Sequence, residues 1–168
     1  MKQEWIKLGR IVNAHGIHGE IRVQSFELDP EKIAKTRRFL LDGQPVIPDS
    51  GRVHKGLALL KFPGVDDMNA ALALKGKILS ARRDDVPLGP EEYLDEELLG
   101  VDAFDADTGG ALGQITLVES YPAHKVYTVR GQREYLIPAV PGVFIKSVDL
   151  SQNRMEIHML EGLAADEN

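Results

Sequence analysis

Two histidines and two glycines fall within five residues of the stretch NAHGIHGEIRV, Asn13 to Val23, which then alternates apolar and charged side chains. Three chemistries use residues of these types. His15 and His18 have the H-x-x-H spacing of metal ligands. Residues three apart on a strand or turn point to different sides, however, and no nearby Cys, Asp or Glu completes a ligand set, so no metal is expected. A phosphate cradle needs a strand before its glycines and a helix after them, to aim N–H groups and the helix dipole at the anion. Here a strand follows, and there is no G-K-[ST]. The third reading is a tight connection between strands. Gly16 and Gly19 would supply positive backbone torsions or close approach. The strand from Glu20 would place Ile21 and Val23 on one face, with Arg22 and Gln24 on the other. His15, His18, Arg10 and Arg22 would then ring one barrel end as hydrogen-bond donors. For each of them an exposed rim side chain is as good a reading as a contact.

Catalysis finds poor candidates. Ser25, Ser50, Ser80, Ser120, Ser147 and Ser151 lie in no nucleophile elbow, and no carboxylate cluster with a neighbouring His stands out. The pairs Asp84-Asp85, Glu91-Glu92 and Glu96-Glu97 read as solvated linker acids. With no cysteine there is no disulfide framework, thiolate metal site or cysteine nucleophile, which fits a reducing compartment. The expectation is a protein that is not an enzyme and uses no cofactor.

Tyr93, Leu94, Leu98 and Leu99 in EEYLDEELLG set an aromatic and aliphatic group among acids. Either they form a hinge whose apolar groups fill the base of a second barrel, or they form a docking patch. Apolar anchors inside a negative rim suit a basic partner.

The net charge of -6 conceals a division. Met1 to Pro87 carries 15 Lys+Arg against 11 Asp+Glu, whereas Leu88 to Asn168 carries 5 against 15. A basic half attracts phosphates and an acidic half favours a basic protein, although two solvated surfaces would look the same.

The elements that must position these residues are short strands. In the first half, Trp5 to Val12, Glu20 to Phe26, the RRFLL region around Arg38, Pro45 to Ile47, Leu57 to Phe62 and Lys77 to Arg82 make six, punctuated by glycines. A short helix follows Pro30 with Asp29 as cap. A second covers one barrel end at DDMNAALALKG, with Asp66 as cap, Met68, Ala71, Leu72 and Leu74 as apolar positions, and Gly76 at its C-terminus. RRDDVPLGPEEY marks a linker. A second β set follows: LLGVDAF, LGQITLVES, KVYTV, REYLIP, VFIKSVDL and RMEIHML, with turns at DTGG and SQN. The expected organisation is a barrel over residues 1–87, a linker over 88–92, a barrel over 93–163 and a disordered tail over 164–168. No apolar run approaches the roughly 18 residues of a membrane span, and the start MKQEWIKLGR is too polar for a secretory leader. A cytoplasmic monomer away from membranes is expected.

LGRIVNAHGIHGEIRV, FPGVDDMNAALALKGKIL, EEYLDEELLGVDAFD, GGALGQITLVE, REYLIPAVPGVFIKSVDL and the closing EGL together resemble the bacterial ribosome maturation factor RimM family. The motifs keep the family's order over nearly the whole chain. The resemblance implies an all-β fold with short helices: an N-terminal six-stranded translation-factor-like β-barrel and a C-terminal PRC barrel. It also implies a chaperone-like, non-catalytic factor that binds the head of the immature 30S subunit, contacts ribosomal protein S-nineteen and assists folding and processing of 16S rRNA. In the family an aromatic pair after the linker supports the protein contact; here Tyr93 keeps the first position and Leu94 stands in the second. Tyr93, Leu94, Leu98 and Leu99 are thus assigned to the ribosomal protein, and Arg10, His15, His18 and Arg22 to RNA. The rivals are a small-barrel flavin or nucleotide enzyme and a PRC-barrel adaptor unrelated to ribosomes.

Overall fold

The computed structural model describes residues 5–89, 91–160 and 163. The chain divides into one compact unit ending at Glu92 and another beginning at Tyr93.

The first unit is a seven-stranded antiparallel sheet. Its strands are β1 (Ile6–His15), β2 (Glu20–Ser25), β3 (Phe39–Leu41), β4 (Gln44–Val46), β5 (Ser50–His54), β6 (Leu57–Lys61) and β7 (Ile78–Ala81), in the order β4-β3-β7-β1-β2-β6-β5. The count exceeds expectation by β5, whose SGRVH lacks an apolar alternation. Two hairpins explain the register. Asp42-Gly43 joins β3 to β4 and Lys55-Gly56 joins β5 to β6, each a two-residue turn with both φ values positive. Such primed turns match the twist of paired strands. Buried Ile21 and Val23 alternate with more accessible Arg22 and Gln24 along β2, as the period of two requires. The apolar face closes over Phe39 and Phe62, which meet edge to face with centroids 5.9 Å apart.

Two short helices flank this sheet. In α1 (Pro30–Ala34) the Asp29 carboxylate accepts from Glu31 N–H and Pro30 occupies the first turn, as the sequence implies. In α2 (Met68–Leu72) the cap is Asp67 rather than Asp66: Asp67 Oδ1 accepts from Ala70 N–H at 2.8 Å, while Asp66 pairs with Lys61 at 2.9 Å. Of the expected apolar positions, Ala71 is buried and Met68 and Leu72 are exposed, because a five-residue helix resting on β1 and β2 turns only one narrow face inward. Gly76 has φ +91° and donates its N–H to Ile11 carbonyl.

Residues 88–92 were expected to link the halves. Glu92 pairs with Lys32 and accepts from Gly89 N–H at 3.1 Å, which ties it to the first unit. Asp85, read as a solvated acid, is buried with its carboxylate on Arg37. Burial of that carboxylate is tolerated because a guanidinium neutralises it.

The second unit is a six-stranded sheet of β8 (Asp102–Asp105), β9 (Ala111–Ser120), β10 (Lys125–Arg130), β11 (Glu134–Pro138), β12 (Ile145–Asp149) and β13 (Arg154–Ile157), in the order β11-β10-β9-β8-β13-β12. All pairs are antiparallel except β13 with β8. Each strand lies on a segment read as one, exceeding it by no more than a single terminal residue. The helix α3 (Asp95–Leu98) precedes them, on residues of which Leu98 was read as strand. Ile115, Val129, Ile137, Met155 and Ile157 build the core. At the DTGG turn, Asp105 Oδ1 accepts from Asp107 N–H; at SQN, Asn153 adopts φ 52°. Of the closing EGL, only Leu163 is described, buried and accepting from Leu136 N–H; the tail over 164–168 lies outside the described residues.

Candidate functional site

The turn between β1 and β2 forms as the two glycines require. Gly16 has φ +70° and Gly19 φ +98°, and a Cβ on Gly19 would lie 1.9 Å from Val65 carbonyl oxygen. Across the turn β2 pairs with β1, with His15 opposite Glu20 and Asn13 opposite Arg22. Arg22 then reaches His15: Nε donates to Nδ1 at 3.3 Å and Nη2 lies at 3.1 Å.

The strand β5, which periodicity alone does not reveal, completes the group. His54 lies with its ring centroid 5.1 Å from that of His15. Arg52 donates to both oxygens of Glu20, at 3.0 and 2.9 Å, a bidentate pair that holds the Glu20 carboxyl below its usual range. Partial loss of water around its ring, and then the charges of His15, Lys55, Arg52 and Arg22, hold the His54 imidazole below its ordinary value. The signal for this strand was the two-residue Lys55-Gly56 turn facing an unmistakable partner, Leu57 to Lys61.

Of the four residues assigned to RNA, His15 and Arg22 touch each other. His18 is close enough to influence Glu20. Arg10 is exposed and donates to Gly76 carbonyl at 3.0 Å. No group of three His, Cys, Asp or Glu suited to a metal ion occurs among the described residues.

The acidic motif divides differently. Leu94 and Leu98 are 5% and 1% exposed, and Leu98 packs in the core of the second unit. Leu99 is 44% exposed. Tyr93 is half-buried against that core, its hydroxyl donating to Val148 carbonyl at 3.4 Å. Glu97, read as a solvated acid, is buried and accepts from Leu94 N–H at 3.0 Å, which satisfies a donor that the start of α3 would otherwise leave unpaired. Lys125 pairs with Asp95 in the first turn.

Both units match known protein families. Residues 6–86 match the family described as RimM N-terminal domain, and residues 95–163 match the RimM PRC barrel domain. The ribosome maturation factor RimM of Staphylococcus saprophyticus is 33% identical over 94% of this chain and 98% of its own length. That of Bacillus pumilus is 34% identical over 97% of this chain and 98% of its own length. A crystal structure of a RimM protein from Pseudomonas aeruginosa is 28% identical, covering 93% of this chain and 98% of that one with a TM-score of 0.45. Both modules are present in one order, and the likeness to the curated relatives spans nearly all of their length. The chain therefore belongs to the ribosome maturation factor RimM family.

Proposed function

We propose that the chain is a cytoplasmic ribosome maturation factor that binds the head of the immature small subunit, holds ribosomal protein S-nineteen with its second unit and contacts nearby RNA with its first. Family membership supports the maturation role. The observation that carries the bridging mechanism is the coincidence of charge with domain. From Glu4 to Glu92 the chain has 14 Lys+Arg against 13 Asp+Glu, and from Tyr93 it has 5 against 13. A mildly basic unit suits phosphates and a strongly acidic one suits a cationic polypeptide.

Neither contact requires bond making. Two weak interactions on one chain reinforce each other. The factor raises the population of a near-native head structure by binding it more tightly than misfolded RNA, and it leaves when the finished subunit offers a weaker site. On the second unit, Tyr93 and exposed Leu99 are the contact groups, while buried Leu94 and Leu98 hold the segment in place. On the first, Arg10, His15, His18 and Arg22 are the RNA-facing groups.

Sucrose-gradient sedimentation with immature and mature small subunits tests this function. Association with the immature particle and little with the mature one is expected; association with neither refutes the reading. Leu99→Asp should weaken a pull-down of the ribosomal protein at least fivefold while leaving the circular dichroism spectrum intact. An unchanged pull-down removes Leu99 from the interface.

A further inference from the structure

The cluster around His54 has a charge imbalance that its own residues do not resolve. Arg22, Arg52 and Lys55 all act on this imidazole, and the neighbouring carboxylate, Glu20, has both oxygens on Arg52. Neither Arg22 nor His54 has a carboxylate partner among the described residues. A guanidinium has donors and no acceptor, so the lone pair of His15 is on Nδ1, facing Arg22, and its proton is on Nε2. That Nε2–H has no acceptor among the described residues, and Arg22 keeps its Nη1 donors for a second acceptor. The His54 ring packs beside that of His15. Arg22, His15 and His54 thus gather from three strands beside a single carboxylate, Glu20, whose oxygens are both on Arg52.

We propose that His15, Arg22 and His54 form a site for phosphate oxygens, taken by a phosphodiester of the RNA backbone, and that occupancy is coupled to protonation of His54. The proposal deepens the RNA reading and rests on it. The groups around His54 set the sign. β1 contributes His15, β2 contributes Arg22 and the neutralised Glu20, and β5 and its turn contribute Arg52 and Lys55. β6 sets Leu57 opposite His54 and carries Lys61 further along, while α1, with Glu31, Lys32 and Lys35, packs at the Gly51 end of β5. Cations disfavour the charged imidazole in the free protein; an anion placed among them favours it. Binding therefore takes up a proton. Affinity rises as pH falls toward the lowered range of the His54 imidazole, by at most tenfold per pH unit for one proton.

The test uses the full chain and a six-nucleotide oligouridine, with inorganic phosphate at equal concentration as the second arm. Histidine ring resonances followed from about pH 5 to pH 8, with His54 identified by its loss in His54→Gln, should show the His54 midpoint rising when oligouridine is present. Oligouridine should bind about threefold to tenfold more tightly at pH 6 than at pH 7.5. His54→Gln should abolish that difference, and Arg22→Gln should weaken binding at both pH values. A His54 midpoint unmoved at saturating oligouridine overturns the proposal, as does full pH dependence retained in His54→Gln. An equal shift with inorganic phosphate overturns the phosphodiester assignment. If oligouridine leaves His54 unmoved yet the chain still sediments with immature subunits, this site is wrong and the maturation role stands; if sedimentation fails too, both fall.

Discussion

Single side chains set the pH response of this protein. The carboxyls of Glu20, Glu92, Asp149 and Glu156 are held below their usual range, chiefly by hydrogen bonds from Arg52, Lys32, Ser151 and Ser147 respectively. A lowered folded value means stability that is complete above the unfolded carboxyl value, near about 4 to 4.5, and lost as pH falls through the folded one. His54 is also lowered, so the unfolded chain takes its proton first, and stability begins to fall once pH drops below about 6.5. Urea midpoints measured between pH 7 and pH 3 should therefore decline with two components. His54→Gln should remove the upper one and Glu20→Gln should reduce the lower. Glycine positions separate by their surroundings. Gly19→Ala meets Val65 backbone at φ +98° and should cost more than about 2 kcal/mol, whereas Gly16→Ala faces open space at φ +70° and should cost about 1 kcal/mol, both read by urea unfolding. The need for both glycines was legible from their place before an alternating strand; which of them is pinned was not, since Val65 lies far along the chain.

Among the elements, short helices were the least legible. Asp29 and Pro30 mark α1 plainly, but DDMN offers two adjacent caps, and the choice of Asp67 follows from Lys61, a neighbour in space that engages Asp66. The strand β5 escaped notice because its residues are polar and its partner supplies the apolar side chains; β6 contributes buried Ala58, Leu59 and Leu60. The motif around α3 shows the same limit. Three acids precede two leucines in DEELL without revealing that Glu97 and Leu98 turn inward while Leu99 turns out. Leu98→Ala should destabilise the second unit by about 2 to 5 kcal/mol, and Leu99→Ala should stay within about 0.5 kcal/mol. Thermal unfolding of the two variants side by side checks the assignment; equal losses would contradict it.

For the whole molecule, electrostatics sets the expectation. If the first unit meets RNA through its basic residues, Arg10→Glu with Arg22→Glu should weaken binding to immature subunits and flatten the dependence of log affinity on log salt by about one for each phosphate that no longer meets a cation. An unaltered slope removes both residues from the RNA face. The sequence by itself determined the two all-β units, the uneven charge of the two halves and the family, because strand periodicity, turn residues and ordered motifs are local signals that survive without a partner. Only the tertiary structure decided that Arg22, His15 and His54 gather at one end of a sheet, that Asp85 and Glu97 are buried acids, and that Leu94 and Leu98 are buried while Leu99 is exposed. Each of those outcomes depends on pairing between segments far apart in the chain, and no local pattern encodes which side chain another strand will bring alongside.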